Sequence, residues 1–567
     1  MTVHYREKTL KNLLFFGPAL ISVFLLDSVV TDPVNTPKLF ILGIVAAGTL
    51  GAVLYRINRE EIRNLRSPLL IVSSFLLLGV STLVTTDAPI AQSLYGVYGR
   101  NNGLLTYIFF GLLLVGGLFV SSRSTHKRIV DGLLLAGTIN VLYCGWVLAF
   151  GDFLSWNNPY GNILGTFGNP NFIGAFLGMF FTTWVAVLLS KKSSRNFRIA
   201  SIIVLPLTAV EIYLSRAIQG RVLMVGGTSI VLFFWIRYRY RSNTVLLAYS
   251  LFVTVAAGFA LAGALQYGPL TSLIYKTSVS LRGQYWLSAW NTGNSNPWTG
   301  VGFDALGDWY RRMREPRAIE LPGIDTVINT AHNVPLDILA FGGWPLFVSY
   351  LALIAITVIS AVRFAVKLKE YDFLFIALFA AWICYQLQSI ISINQIGIGF
   401  WGWLLSGALL SYVRLSKAEQ KGDDPEKPKT VRKGTQGSQQ VFSSNLVAGV
   451  SMIVGALIAV PPLASDMKWM NAQLSRDALK LEATLDPSYL NPLNNQKYFM
   501  TIQIFEQSKL YDFSHKYALE AVAFNPNGYD LWKLLSLLQN TTEEEKKLAL
   551  LNMRRLDPLN PNLKNSQ

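Results

Sequence analysis

The sequence predicts an all-α polytopic membrane protein, and three observations support that prediction. Hydrophobic residues make up 51% of the 567 residues and charged residues only 14%, which excludes an ordinary soluble enzyme. Thirteen apolar runs are each long enough to cross about 30 Å of hydrocarbon. Basic residues are concentrated in alternate connections between these runs. The predicted fold is a twelve-span bundle with one long outer loop, then a thirteenth span and a soluble helical-repeat tail.

The thirteen predicted spans follow in chain order. Nine precede the longest connection and four follow it, at 12–30, 38–55, 67–84, 103–121, 129–150, 171–190, 197–214, 221–236, 245–265, 333–362, 372–392, 396–413 and 444–463. No small-residue cleavage site follows the first run, so we predict a retained span and not an export signal. Cys144 and Cys384 lie inside apolar runs and are interpreted as core residues.

The distribution of basic residues predicts the orientation. With a cytoplasmic N-terminus, the cytoplasmic segments hold 27 Lys and Arg and the opposite connections hold 10, in agreement with the positive-inside rule. We therefore expect a multi-pass protein of the cytoplasmic (inner) membrane with its C-terminal tail outside. The net charge of +16 then reflects topology and contacts with membrane lipids. No nucleic-acid partner is predicted.

The predicted domains follow from these spans. Residues 1–416 form the twelve-span domain, with the outer loop 266–331 between spans nine and ten. Residues 417–443 are charged and poor in apolar side chains, as expected of a solvated cytoplasmic linker. Residues 444–463 form the thirteenth span, and residues 464–567 form the extracytoplasmic tail.

The tail contains a weak internal repeat. Three Ala- and Leu-rich segments end at Pro487, Pro526 and Pro558, so the spacings are 39 and 32 residues. These values bracket the 34-residue tetratricopeptide period, and proline after each segment would end a helix. We predict a tetratricopeptide-like domain. A set of unrelated amphipathic helices is the alternative.

The outer loop has the composition of an ordered binding element. Long connections of this kind are usually lids or binding elements when they are ordered. Its aromatic side chains are Tyr285, Trp286, Trp290, Trp298, Phe303, Trp309 and Tyr310. They would suit either an interfacial helix on the membrane or stacking against sugar rings.

Three arginines lie on the predicted outer side, against the charge bias. Arg282 lies in SLRGQYWLSAW, and Arg216 and Arg221 lie in LSRAIQGR. The planar guanidinium matches phosphate oxygens, and several converging arginines could hold a diphosphate without a metal. Alternatively, Arg282 contacts lipid headgroups and Arg216 pairs with Glu211.

His332 lies in TAHNVPLDILAFGGWPL, where the outer loop enters span ten. A neutral imidazole at that position could accept a proton from a hydroxyl nucleophile near pH 7. The alternative is a structural histidine. Additional polar side chains predicted on the outer side are those of Arg100, Lys38, Asn169, Asn171 and Asn333. Headgroup contacts would explain Arg100 and Lys38, and turn formation would explain Asn169 and Asn171.

Several common enzyme motifs do not occur in the sequence. It has no P-loop, no dinucleotide-binding glycine pattern, no zinc-ligand spacing and no Asp-x-Asp metal motif. A cytoplasmic nucleotide-sugar donor is therefore unsupported, and neither a cofactor nor a metal is predicted.

Five segments together resemble the superfamily of bacterial O-antigen ligases and O-antigen polymerases. They are GRNNGLLTY (99–107), GTFGNPNFIGAFL (165–177), LSRAIQG (214–220), LRGQYWLSAW with NPWTGVGFDAL (281–306) and AHNVPLDILAFGGWPL (331–346). Their order along twelve predicted spans carries the resemblance, which implies a glycosyltransferase-like bundle. It also implies metal-independent, inverting transfer of a glycan from an undecaprenyl-diphosphate carrier to an acceptor on the outer face of the membrane.

The resemblance also assigns roles to three residues. Arg216 and Arg282 would bind the diphosphate and stabilise its departure, and His332 would activate or orient the acceptor hydroxyl. Preformed cations would favour the transition state because the leaving diphosphate gains negative charge. Arg221, Arg100, Lys38, Asn169, Asn171 and Asn333 are the predicted substrate-binding residues.

The acceptor stays open at this stage. It could be a lipid, a growing glycan or a protein, so a ligase, an exopolysaccharide polymerase and a protein O-oligosaccharyltransferase are all retained. The protein-modifying branch usually carries Gln-Pro-Asn where this chain has Asn169-Pro170-Asn171. The thirteenth span and the tail depart from the plainest ligases, and the tail could bind an envelope protein. A lipid-linked glycan transporter and a non-enzymatic scaffold are the competing functions.

Overall fold

The computed structural model describes residues 7–156, 158–420 and 443–564, and its regular elements are helical. No β-strand occurs in these ranges. The predicted all-α class is therefore confirmed. Most of the predicted linker, 421–442, lies outside the described residues.

Each of the thirteen predicted spans coincides with a helix. In chain order with the short helices, the first group is α1 (Lys8–Val23), α2 (Asn35–Leu54), α3 (Arg59–Asn64), α4 (Arg66–Thr85), α5 (Ile90–Tyr95), α6 (Leu104–Leu118), α7 (Arg123–Phe150), α8 (Pro170–Leu188), α9 (Arg195–Leu214), α10 (Ile218–Tyr240) and α11 (Asn243–Ala264). The second group is α12 (Thr271–Ile274), α13 (Thr277–Ser295), α14 (Leu306–Met313), α15 (Val334–Lys367), α16 (Phe373–Ile391), α17 (Ile396–Gln420) and α18 (Ser444–Ser475).

Eleven of these helices are long and apolar enough to cross a membrane, which makes this a multi-pass membrane protein. The two other predicted spans correspond to α1 and α6, which have 16 and 15 residues. A helix of 15 residues extends only about 22 Å, less than the usual hydrocarbon thickness. The count of thirteen spans therefore stays a prediction.

The centre of the bundle is α17. Of its most apolar 18-residue window, 94% is buried inside the protein, and α6, α15 and α16 pack around it. Helices that are apolar on all sides belong in such a position. In α11 the corresponding window is 0% buried, so α11 lies at the periphery and presents its side chains to lipid.

Small residues allow close helix packing. Gly455 of α18 packs against the backbone of Gly43 in α2, so a side chain at Gly455 would collide with that backbone. Close approach at glycine is a common way for helices to associate in membranes, where burial from lipid provides no driving force. The thirteenth predicted span is therefore an integral part of the bundle.

The long loop is folded and closes against the following helix. α13, α14 and a 3₁₀ turn (Pro316–Ile319) lie between α11 and α15. α15 is broken at Gly342 and Gly343, and Gly343 has φ +65° and ψ −165°. At this break the Trp344 N–H donates to the Pro297 carbonyl at 2.8 Å, and the Val301 N–H donates to the Ala340 carbonyl at 2.9 Å. The segment 281–306 therefore binds the segment 331–346 through these two hydrogen bonds.

The tail begins as an extension of α18, which runs twelve residues beyond the predicted span end at residue 463. It continues with α19 (Ala478–Glu482), α20 (Asn495–Gln507), α21 (Tyr511–Phe524), α22 (Tyr529–Leu537), α23 (Glu543–Leu556) and α24 (Pro561–Lys564). α20 packs on α21 and α22 packs on α23, around a hydrophobic core of their own. The tetratricopeptide assignment of these hairpins stays a prediction.

Candidate functional site

The backbone around His332 is fixed by its neighbours. His332 adopts φ +54°, an uncommon conformation for a residue with a side chain. Asn333 caps the N-terminus of α15, and its Nδ2 donates to the Ile390 carbonyl at the end of α16 (2.9 Å). Asp337 Oδ1 accepts from the Ala331 N–H at 2.7 Å. These contacts hold His332 at a defined place at the loop end of the bundle, by which we mean the end that carries the segments 86–103 and 265–333.

The positive charges of two arginines act on the imidazole of His332. Burial is the main cause that lowers the pKa of His332 to about 3, and the positive charges of Arg100 and Arg282 lower it further. The ring of Tyr285 lies 5.8 Å from the imidazole, centroid to centroid. At neutral pH this histidine is uncharged and can accept a proton.

Arg282 lies in the second turn of α13, three residues before Tyr285. Its side chain is half-buried, and within the described ranges it makes no hydrogen bond or ion pair. Burial is the main cause that lowers the pKa of its guanidinium, yet an arginine stays charged at neutral pH. A partly desolvated guanidinium without a partner among the described residues can bind an anion.

Arg100 reaches the same place from the segment between α5 and α6. The carboxylates of Asp304 and Asp337 attract its charge, but neither lies within ion-pair distance among the described residues. Asp304 Oδ2 accepts from the Val97 N–H at 2.7 Å, which ties the Arg100 segment to the long loop. Burial raises the pKa of Asp304 to about 6 against the opposing effects of the Val97 N–H and of Arg100.

Arg216 and Arg221 lie at the junction of α9 and α10. Arg216 adopts φ +57° and its side chain is exposed. Its carbonyl accepts from Lys276 Nζ at 3.1 Å, just before α13 begins. Arg221 lies over the ring of Tyr213 at 5.9 Å and is half-buried. These two arginines form a second cationic group. The hydrogen bond of Lys276 connects this group to the start of α13, the helix that carries Arg282.

The alternative in which Arg216 pairs with Glu211 is wrong. Both carboxylate oxygens of Glu211 are buried without a hydrogen-bond partner in the described part of the chain. Glu211 Oε1 instead faces Gly145 of α7, at 3.6 Å from where a Cβ on that glycine would lie. Among the described residues, the guanidinium of Arg216 is therefore not held by Glu211.

Two buried glutamines lie near the loop ends of α10 and α16, and neither was predicted from the sequence. α10 and α16 run antiparallel, and Cys384 Sγ contacts the Leu223 carbonyl at 3.7 Å. One turn nearer the loop end, this packing places Gln219 on α10 and Gln388 on α16, with exposures of 3% and 2%. Neither amide has a partner among the described residues. Buried polar groups are almost always hydrogen-bonded, so unsatisfied amides here indicate a polar ligand or water.

Lys38 has an internal position. Its ammonium is fully buried and donates to the carbonyls of Ser22 and Phe24 at 2.8 and 2.7 Å. These carbonyls lie at the C-terminal end of α1, where a cation stabilises the helix dipole. The headgroup contact considered for Lys38 is therefore wrong. The two hydrogen bonds of its buried ammonium give Lys38 a structural role.

Asn169 and Asn171 lie at the start of α8. Asn169 caps that helix by accepting from the Asn171 N–H at 2.9 Å, and its Nδ2 donates to the Tyr160 hydroxyl at 3.2 Å. The charge of Arg100 also interacts with Tyr160. The side chain of Asn171 is exposed. Helix capping therefore accounts for most of this segment.

The described residues contain no group of three or more His, Cys, Asp or Glu side chains arranged to hold a metal ion. The charges of Arg100 and Arg282 both act on His332. Among the described residues, the guanidinium groups of Arg100 and Arg282 form no ion pair, and they share the loop end of the bundle with a neutral imidazole and aromatic rings. This arrangement can bind a polyanion and accept a proton from a neighbouring hydroxyl.

Comparison with protein families gives a match within the membrane domain. A family model described as O-antigen ligase matches residues 202–351, about a quarter of the chain. The matched region begins within α9 and ends within α15, so it contains Arg216, Arg282 and His332. This match confirms the resemblance to the O-antigen ligase superfamily. A search of curated proteins finds no match.

Proposed function

We propose that this chain, whose residues 202–351 form an O-antigen ligase domain, transfers a glycan from an undecaprenyl-diphosphate carrier to an acceptor hydroxyl. The reaction takes place at the loop end of the bundle, which we propose faces away from the cytoplasm. The observation that carries the proposal is the neutral imidazole of His332, which lies 5.8 Å from the ring of Tyr285 and feels the charges of Arg100 and Arg282. Neither arginine forms an ion pair among the described residues.

The cations are proposed to hold the diphosphate of the donor. The charges of Arg282 and Arg100 act on His332, and Arg216 and Arg221 are proposed to extend the positive field along the junction of α9 and α10. As the bond between the sugar and the diphosphate breaks, the leaving oxygen gains negative charge. Guanidinium groups already in place then stabilise the transition state more than the bound donor.

His332 is proposed to take the proton of the acceptor. The acceptor oxygen attacks the anomeric carbon, its proton passes to the imidazole, and the electron pair of the broken C–O bond leaves with the diphosphate. Binding of that anion neutralises the two cations that lower the pKa of His332, so the donor makes the imidazole a stronger base. A single displacement of this kind inverts the anomeric carbon.

Gln219 and Gln388 are proposed to bind the sugar of the donor. Each primary amide offers two N–H donors and one carbonyl acceptor, and sugar hydroxyls can satisfy both kinds of group. Both side chains are buried near the loop ends of α10 and α16 and have no partner among the described residues, which leaves this capacity for the donor. Ligase, polymerase and protein transferase reactions share this donor chemistry and differ in their acceptors.

The proposal is tested by transfer in reconstituted membranes. Protein in nanodiscs would be incubated with a fluorescent undecaprenyl-diphosphate glycan, and new glycosidic bonds would be detected by mass spectrometry. Arg282→Gln and His332→Ala should each lower kcat/KM by about a hundredfold or more. Arg198→Gln is the matched control because Arg198 is an exposed arginine at the start of α9, away from the loop end.

A full set of acceptors would be offered in the same assay: a lipid-linked saccharide, a second donor molecule and a protein. Product with the first identifies a ligase, and product with the second identifies a polymerase. In sealed vesicles, donor that crosses the bilayer without forming a glycosidic bond would indicate a transporter and reject the proposal.

A further inference from the structure

The last hairpin of the tail is bound to the long loop through buried charges. Asp557 follows α23, and its carboxylate accepts from Arg314 Nη2 at 2.7 Å and from Arg311 Nη1 at 3.2 Å. The side chains of Asp557 and Arg314 are fully buried, and that of Arg311 is 5% exposed. Breaking such a pair leaves a buried charge without compensation, so the loop and the tail are held together firmly.

The same two arginines also organise the loop itself. Arg311 Nη1 and Arg314 Nη1 donate to the Ile324 carbonyl at 3.1 and 2.9 Å. Arg311 in addition lies over the ring of Tyr529, 4.2 Å from its centre, at the start of α22. One carboxylate in the tail therefore fixes the two side chains that join α14 to the segment leading towards His332.

From α14 a row of aromatic rings leads to the imidazole. Tyr310 lies in α14, immediately before Arg311, and is fully buried. Its ring lies 6.3 Å from that of Tyr285, which in turn lies 5.8 Å from the ring of His332. Packed side chains of this kind transmit a displacement because protein interiors are dense. A shift of α14 would therefore move Tyr285 and His332.

A second contact ties the tail to the segment that carries Arg100. Asp308 of α14 accepts from Asn525 Nδ2 at 3.1 Å, and Asn525 lies at the end of α21. Asp308 also accepts from Gln92 Nε2 at 3.0 Å, in α5. Tail, long loop and Arg100 segment thus meet at one carboxylate.

We propose that the tail is a clasp that keeps the candidate site assembled, and that Asp557 is a positioning residue for the transfer reaction. This inference rests on the proposed function. The tail surface formed by Asp557, Tyr529 and Asn525 is occupied by the loop, so this surface is not available to recruit an envelope protein. Its ligand is the loop of the same chain.

The test compares Asp557→Asn with Asp530→Asn. Both aspartates contact Arg311, but Asp530 is 54% exposed and lies 3.8 Å from Nη2, so its removal should change little. The first measurement is modification of His332 by diethyl pyrocarbonate in nanodiscs, quantified by mass spectrometry. Buried His126 of α7 is the internal standard.

In Asp557→Asn, modification of His332 should rise about tenfold relative to His126, and kcat should fall about ten- to a hundredfold. KM for the donor should change less than threefold, roughly, because the cations that bind it are still present. Asp530→Asn should behave as the wild type. Asp557→Glu, which restores the carboxylate, should recover at least part of kcat.

Unchanged His332 modification in Asp557→Asn would overturn the clasp, and so would increased modification with an unchanged kcat. If Asp557→Asn does not fold, Asn525→Ala removes the milder contact with Asp308 and should raise His332 modification in the same direction. Absence of transfer by the wild type would reject the proposed function, whereas the histidine modification would still report whether the tail positions His332.

Discussion

His332 shows how the surroundings of one residue set its chemistry. Burial and two neighbouring cations lower its pKa to about 3, far below the usual value near 6.5. A proton acceptor with so low a pKa is weak until an anion offsets the two positive charges. Under the proposed function, the diphosphate of the donor would be such an anion, and its binding would be coupled to proton transfer through electrostatics.

The first prediction concerns the titration of His332. In nanodiscs with isotope-labelled histidine, its NMR signal should show no protonation between pH 8 and pH 5, since its pKa is about 3. Arg282→Gln removes one positive charge, which stabilises the imidazolium, so the titration should move to higher pH. Arg198→Gln should leave it unchanged. A wild-type midpoint near 6.5 would contradict the prediction.

The second prediction concerns Gln388. Gln388→Leu removes a buried amide without a partner in the described chain, and this should stabilise the protein by about 1 to 3 kcal/mol. If the amide binds the donor sugar, kcat/KM should nevertheless fall by about tenfold or more. Thermal unfolding and the transfer assay would be measured together. A lower Tm would indicate that water or protein groups satisfy this amide.

Gln386→Leu is the matched control for Gln388→Leu. Gln386 lies on the same helix and is only half-buried. Its replacement should change neither the Tm nor the transfer rate appreciably. Equal loss of transfer in both variants would mean that any substitution in this part of α16 lowers the transfer rate.

At the scale of elements, the break in α15 joins the loop to the bundle. Gly343 has φ +65° and ψ −165°, a region used almost only by glycine. A side chain at this position would also collide with the Pro297 carbonyl, which accepts the Trp344 N–H. The break therefore holds the segment after α13 directly against the helix that begins beside His332.

The third prediction follows from that break. Gly343→Ala should destabilise the protein by about 1 to 3 kcal/mol from backbone strain alone, with a lower Tm and a lower transfer rate. Gly258→Ala in α11 is the control, since a side chain there meets open space and alanine favours a helix. Equal Tm values for the two variants would show that the break tolerates a side chain.

Helix positions were predictable from the sequence because a helix that crosses the bilayer needs an apolar run of matching length. The burial of Lys38 was not, because its carbonyl partners belong to a different helix. Gln219 and Gln388 were missed for a similar reason. Their burial depends on the antiparallel packing of α10 and α16, and two isolated glutamines show no sequence pattern. Arg282 and His332 were found because family segments surround them.

At the scale of the whole molecule, the membrane domain and the tail have separate hydrophobic cores but share buried charges. The sequence predicted the tail as a region that could bind another protein. Its contacts with Arg311 and Arg314 were not predictable, because about 240 residues separate Asp557 from its partners.

The fourth prediction is that removal of 525–567 leaves the spans inserted but lowers transfer to about the level of Asp557→Asn. Loss of this segment removes both Asn525 and Asp557, so the loop is no longer held by the tail. Transfer and membrane insertion would be measured on the same nanodisc preparation. Wild-type transfer by the shortened chain would show that the loop needs no clasp. Complete loss of envelope-protein recruitment with intact transfer would favour the competing function of a scaffold.

The distance along the chain between His332 and Asp557 has a consequence for biosynthesis. The ribosome completes the loop and its histidine more than two hundred residues before it adds the carboxylate that locks them. During that interval the membrane domain can insert while the loop is still loose. Under the proposed function, a nascent chain would therefore transfer glycan inefficiently until the tail has been synthesised and has folded onto the loop.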